Sequence, residues 1–218
     1  MPGKAIKAAA RGGRPSRADA LRLRERILDA ATEMFLAEGY GSTSIEALAK
    51  RAGISKRTFY DRFDDKAVLF AAVVHRIIER IRPPPEVPLL EGATLPDVLR
   101  RLALLILRAA LAPQALALHR LVNAESARFP ELVQAVASDG STHEAHSLIG
   151  GLLAREFPGL TLAAESREFT AAQFIFMVVT VPQRRAIGYG TPMSPSELDA
   201  WAGKVVDLFL NGYRGFSS

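Results

Sequence analysis

Residues 44–66 read SIEALAKRAGISKRTFYDRFDDK, and their spacing predicts two short helices joined by a tight turn. Ser44 stands just before an apolar-periodic run in which Ile45, Leu48, Ala49 and Ala52 recur at helical spacing, so its hydroxyl is placed to cap a first helix. Gly53 ends that helix as a residue free to take positive φ. Ser55 then caps a second helix, with Ile54 and Phe59 at the two positions of a hydrophobic staple. Phe59 and Phe63, four apart, both point back at the first helix. Arg57 and Asp61 therefore point away from it, Thr58 and Tyr60 flank them, and Lys56 sits at the exposed helix start. A short helix anchored by two aromatics and presenting Lys, Arg, Thr and Tyr outward is shaped for a major groove. The stretch reads as a helix-turn-helix.

The same spacing also fits an ordinary helical hairpin with a solvated face. Two features weigh against that. Lys66 follows Phe63 at a spacing that puts an amine just past the helix end, near a backbone phosphate. The charge is also lopsided: residues 1–66 carry 14 Lys/Arg against 9 Asp/Glu, whereas residues 67–218 carry 14 of each. A basic leading third on a neutral remainder suits a module that meets a polyanion at one end only.

The run GYGSTSIEALAKRAGISKRTFYDRFDDK, residues 39–66, resembles the DNA-binding signature of the tetracycline-repressor (TetR) family. Gly39, Thr43, Ile45, Ala49, Ala52, Gly53, Ser55, Thr58, Tyr60, Phe63 and Lys66 carry the resemblance, which spans roughly residues 21–70. Asp61 departs from it, standing where the family often has His. Two roles are open to that carboxylate: pairing with Arg57 one turn back, or accepting from a cytosine amine. The helical wheel and the resemblance together name Arg57, Thr58 and Tyr60 as DNA contacts, with Lys56, Lys66, Thr43 and Ser44 mainly positioning the backbone. What the resemblance implies is a repressor without a catalytic step. Two heads on a two-fold homodimer meet successive major grooves of double-stranded DNA, about 34–36 Å apart, at a palindromic operator. A ligand in the body favours a state in which the fourth helix is displaced and that spacing is wrong.

The other segments fit around this element. A hydrophobic share of 49% in 218 residues permits a sizeable core, and the absence of cysteine excludes disulfides and thiolate metal sites. LALLIL (102–107) and FIFMVVTV (174–181) are too short to span a bilayer, and the basic N-terminus has no apolar run behind it. A soluble, cytoplasmic protein with no membrane contact is expected. Residues 1–18 read as a disordered basic arm, in which Arg14 of the Arg-Gly-Gly-Arg-Pro run resembles groove-lying arms; a solubilising tail fits as well. Residues 19–67 form the expected DNA-binding domain and 68–218 the ligand-binding and dimerisation domain. A first helix at about 19–38 uses Ile27, Ala30, Ala31, Met34 and Phe35 as its core face.

After Lys66 an amphipathic helix halts at three prolines, residues 83–85, and from Thr94 the chain is helix after helix. The expected fold is all-α, about nine helices, three of them in the head. The run LHRLVNAESARFPELVQAV (118–136) resembles the C-terminal domain of the AefR-like branch of the family. The last two long segments, about 163–187 and 195–213, carry stripes of Phe169, Phe176 and Val179 and of Val205, Leu208 and Phe209. The resemblance pairs them with their symmetry mates as a dimer interface, although such stripes can also be satisfied within one subunit. Runs that are apolar nearly all round suggest a small apolar effector, with Leu102, Ile106, Phe174 and Met177 as walls and His119, Asn123 and Gln173 as polar contacts. Simple packing of all seven is the alternative.

Enzymatic motifs are missing. His143 and His146 share a helix face but lack the third ligand a zinc site wants, and there is no GxSxG, phosphate-cradling glycine loop or dinucleotide fingerprint. No cofactor, metal or catalytic residue is expected. The competing class is an all-helical small-molecule-binding protein or enzyme with an incidental helix-turn-helix.

Overall fold

The computed structural model describes residues 17–82, 94–156 and 164–212. The expected arm with Arg14, and the proline connector, lie outside the described residues. Ten α-helices are described: α1 (Arg17–Glu38), α2 (Ile45–Ala52), α3 (Lys56–Tyr60), α4 (Lys66–Ile81), α5 (Leu95–Ala110), α6 (Pro113–Glu125), α7 (Glu131–Ala137), α8 (Ser141–Glu156), α9 (Ala164–Arg184) and α10 (Pro195–Asn211). The count is close to the expected nine, and the chain turns between Ser126 and Pro130, so the seven-residue α7 is a separate helix beginning just after Pro130, as the sequence suggests.

Two apolar cores organise the described residues. The first gathers Ile27, Ala31, Met34 and Phe35 of α1, Leu48 of α2, Phe59, and Leu69, Phe70, Val73 and Val74 of α4. It continues into Leu118 and Leu121 of α6 and Leu132 and Ala135 of α7. The head is therefore packed directly on two helices that come much later in the chain, and the expected boundary at residue 67 cuts through one continuous core. Full burial of each large apolar side chain contributes about 1.5–3 kcal/mol, so this seam is a substantial part of the fold's stability. The second core joins α5, α8, α9 and α10 around Leu99, Leu107, Ile149, Phe174, Val178, Ala202 and Val206.

Helix α9 runs through Pro182 and then widens into a π-helical turn over Arg185–Tyr189, with Gly188 at φ 117°. Proline has no N–H to offer the carbonyl four residues back, which is that of Val178. The indole Nε1–H of Trp201 on α10 donates to that Val178 oxygen at 2.9 Å. Helix–helix packing here closes a gap in the backbone ladder. Trp201→Phe keeps the ring but leaves the carbonyl without its donor, so a loss of about 1–3 kcal/mol is expected. Urea unfolding followed by circular dichroism measures it, and an unchanged midpoint would contradict the pairing.

Candidate nucleic-acid interface

Local capping builds the helix-turn-helix. Ser44 Oγ accepts from the Ala47 N–H at 3.1 Å and Ser55 Oγ from the Thr58 N–H at 3.0 Å, each meeting a donor that the first helical turn leaves free. Gly53 closes α2 in the left-handed region at φ 65°, and the following Ile54 N–H reaches back to Ala49 O at 2.9 Å. Arg26 of α1 donates to Ala52 O at 2.5 Å, satisfying a last-turn carbonyl of α2 and fixing α2 on α1. Helix α3 is shorter than the sequence suggests. Phe63 lies beyond its end, yet both Phe59 and Phe63 are buried, their ring centroids 5.9 Å apart.

That anchoring leaves one face outward. Arg57, Tyr60 and Asp61 are exposed, Tyr60 at 48%, and Thr58 is half-buried with Oγ1 2.9 Å from Ser55 Oγ. Lys56 forms an ion pair with Glu46 of α2 that holds its amine above the usual lysine range through the hydrogen bond. Among the described residues Arg57 and Asp61 make no ion pair with each other, so the Asp61 carboxylate stands free on the outward face.

Two of the backbone-positioning candidates face inward instead. Thr43 is 1% exposed and its hydroxyl donates to Gly39 O at 2.8 Å, because the α1–α2 turn folds over it. Lys66 Nζ donates to Tyr40 O at 2.9 Å and Thr43 O at 3.1 Å, and lies 4.3 Å from the centroid of the Tyr40 ring. Burial depresses its pKa, against the opposing pull of Glu125 and Glu131. Two of its three donors thus fasten the turn that leads into α2, which spacing alone did not reveal. Lys66→Met is therefore expected to lower the melting temperature by several degrees as well as weaken DNA binding, since a half-buried ammonium with two carbonyl acceptors is replaced by a thioether that donates to neither.

Residues 27–73 match the family model for bacterial regulatory proteins of the tetR family, and residues 97–215 match that for the AefR-like transcriptional repressor C-terminal domain. The chain belongs to the TetR family. The HTH-type transcriptional activator FasR of Mycolicibacterium smegmatis is 36% identical over 58 residues, 27% of this chain and 26% of that protein. The HTH-type transcriptional regulator AcrR of Shigella flexneri is 37% identical over 60 residues, 28% of each. The chain thus spans little more than a quarter of the length of these curated relatives. Solved structures extend the likeness through the body. A chain described as a TetR-family regulator from Mesorhizobium loti MAFF303099 is 29% identical, with TM-score 0.68 over 89% of this chain and 97% of that one. The Flavonoid-responsive Regulator FrrA is 25% identical, with TM-score 0.71 over 87% and 95%.

In this TetR-family body the effector candidates have unlike surroundings. Leu102 and Phe174 are buried in the second core, and Ile106 and Met177 are partly buried against that core. His119, half-buried on α6, has its Nε2 2.9 Å from Asn123 Nδ2, and burial lowers its pKa, which favours neutral imidazole. Asn123 and Gln173 are exposed. A cleft of about 370 Å³ lies elsewhere, between α8 and α9, with His143, His146 and Arg167 in its lining. Among the described residues no group of three or more possible ligands forms a metal site.

The dimer candidates divide by face. Phe169 and Phe176 are 65% and 63% exposed on α9, and Leu208 of α10 is exposed as well. Val205, by contrast, is buried within the subunit at 5%, Phe209 packs on Phe174 with centroids 4.9 Å apart, and Val179 is half-buried against the same core. A single stripe cannot serve both the core and a partner, and the outward-pointing Phe169, Phe176 and Leu208 are what remains for a partner. No single described helix is long and apolar enough to cross a membrane.

Proposed function

We propose that this chain is a homodimeric, ligand-released repressor that binds a palindromic operator in cytoplasmic double-stranded DNA and carries out no catalytic step. The outward face of α3 carries the proposal: Arg57, Thr58, Tyr60 and Asp61 stand on a doubly capped unit, and none of the described residues covers Arg57, Tyr60 or Asp61. Arg57, Thr58 and Tyr60 read or grip the groove, Ser44 and Lys56 lie beside it, and Thr43 and Lys66 act through the turn they hold. Exposed Phe169, Phe176 and Leu208 supply an apolar surface for a second copy, and large exposed aromatics aligned on one face mark interaction sites. The effector is a small, mostly apolar molecule. Likeness to the Flavonoid-responsive Regulator FrrA, at 25% identity, supports an aromatic one.

The test is a gel shift on the DNA upstream of the chain's own gene, titrated with salt. A sequence-specific complex that weakens steeply with salt is expected, and its absence across that DNA would refute the assignment. A thermal-shift screen of hydrophobic molecules, flavonoids included, then identifies ligands, and hits are tested for release of DNA. Ile106→Ala, at a half-buried site, is expected to change the ligand response while ligand-free operator affinity stays within about threefold. Loss of stability and DNA binding together, with an unaltered ligand response, would make Ile106 a packing residue only.

A further inference from the structure

Glu125 ends α6, and its carboxylate reaches across the seam to the turn between α1 and α2. Oε1 accepts from the Tyr40 N–H at 2.9 Å and Oε2 from the Gly41 N–H at 2.7 Å. The Tyr40 hydroxyl donates to Glu131 Oε1 at 3.1 Å on α7, and the Phe129 ring meets the Tyr40 ring edge-on at 5.1 Å. Both polar groups of the Tyr40 backbone are thereby held, the N–H by the body and the carbonyl by Lys66. The turn is glycine where the body comes closest. A Cβ on Gly41 would lie 2.9 Å from Phe129 Cε2, and one on Gly39 would lie 2.6 Å from Glu125 Oε1.

We propose that Glu125 is the positioning residue that sets the angle at which the body presents the helix-turn-helix to DNA. Apolar packing of Leu118, Leu121 and Leu132 against the head holds the two together but is non-directional and tolerates small slides. Two parallel hydrogen bonds from one carboxylate to adjacent amides fix both distance and direction, and charge on the acceptor strengthens them. The held turn leads straight into Thr43, which it buries, and Ser44, which caps α2. At its other side α6 is tied to the dimer-facing region, since Arg120 donates to Ala186 O at 3.0 Å just after α9. Helix α6 therefore bears the two effector candidates His119 and Asn123 and connects the α9 end to the head. The assignment rests on the dimeric operator-binding reading, because the angle matters only when two heads must meet two half-sites.

The test uses the full chain and an operator selected from random duplexes by the wild-type protein, together with versions carrying one or two extra base pairs between the half-sites. Wild type is expected to lose affinity sharply on insertion. Glu125→Gln retains the side-chain shape but opposes an amide N–H with its own NH2; it should bind the selected operator about tenfold more weakly and lose little further on insertion. Affinity for a random duplex and its salt slope should be unchanged, because these report the phosphate contacts alone. Gly41→Ala attacks the same grip from the turn side and should give the same flattened spacing profile, carrying the test if Glu125→Gln unfolds. Variants that bind every spacing more weakly by one factor, or keep the wild-type spacing preference, overturn the role of Glu125. A wild-type protein indifferent to spacing overturns the dimeric reading beneath it.

Discussion

Phe176→Glu is expected to convert the protein to a monomer at micromolar concentration and to lower operator affinity at least about a hundredfold. Phe176 is 63% exposed on α9, with Phe169 seven residues earlier at 65% on the same stripe. The substitution costs the isolated subunit little, since it places a carboxylate where water already reaches. In a dimer it buries an unpaired charge against the symmetry mate of the same surface, and a two-fold contact suffers that penalty twice. Each head alone then binds a half-site, and the gain from binding the second site within one complex is lost. Sedimentation velocity and a gel shift check both parts. A Phe176→Glu protein that still sediments as a dimer would place the interface elsewhere, and a far-UV circular dichroism spectrum matching wild type confirms that the fold was spared.

Arg57→Ala combined with Tyr60→Ala ranks next. Each side chain stands exposed on α3, and among the described residues the contact held by either is the edge contact of Tyr60 with Phe59 at 5.4 Å. Removing a groove contact costs about 1–3 kcal/mol, so the double variant should lose about two to four orders of magnitude in operator affinity. The fold should survive, because Ser55 still caps α3 and Phe59 still anchors it. Asp61 gives the opposite sign. If α3 enters the groove as proposed, its carboxylate lies toward the phosphates, and Asp61→Asn should tighten binding to random DNA at low salt and reduce discrimination between sequences. Unchanged binding by the double variant, measured by fluorescence anisotropy on a labelled operator, would remove α3 from the interface.

The head was legible in the sequence because its determinants are local. Ser44, Gly53 and Ser55 act within three residues of themselves, and Phe59 and Phe63 obey a helical period that needs no knowledge of the partner. The grip of Glu125 on Tyr40 was not, since it joins groups 85 residues apart. The motif containing Glu125, Phe129 and Glu131 stood out as a resemblance, but nothing in it says which surface its carboxylates face. Lys66 shows the same limit on a shorter scale. Its position past Phe63 suggested a phosphate contact, whereas the fold turns the amine onto two carbonyls of the α1–α2 turn. On α10 the periodicity found a stripe but not its owner: Val205 and Phe209 face the subunit's own core, and Leu208 alone of the three looks outward. Hydrophobic spacing records that a face is buried, not by whom.

The sequence contains a single tryptophan, and the fold places that indole on the carbonyl released by Pro182, at the seam of α9 and α10. The chain therefore has its own optical reporter in the region assigned to pairing. Its emission comes from one environment, without contributions from the head or from α6. A change in wavelength or quenching on dilution, on ligand addition or on DNA binding would reach the observer from this seam alone, with no label attached and no residue replaced.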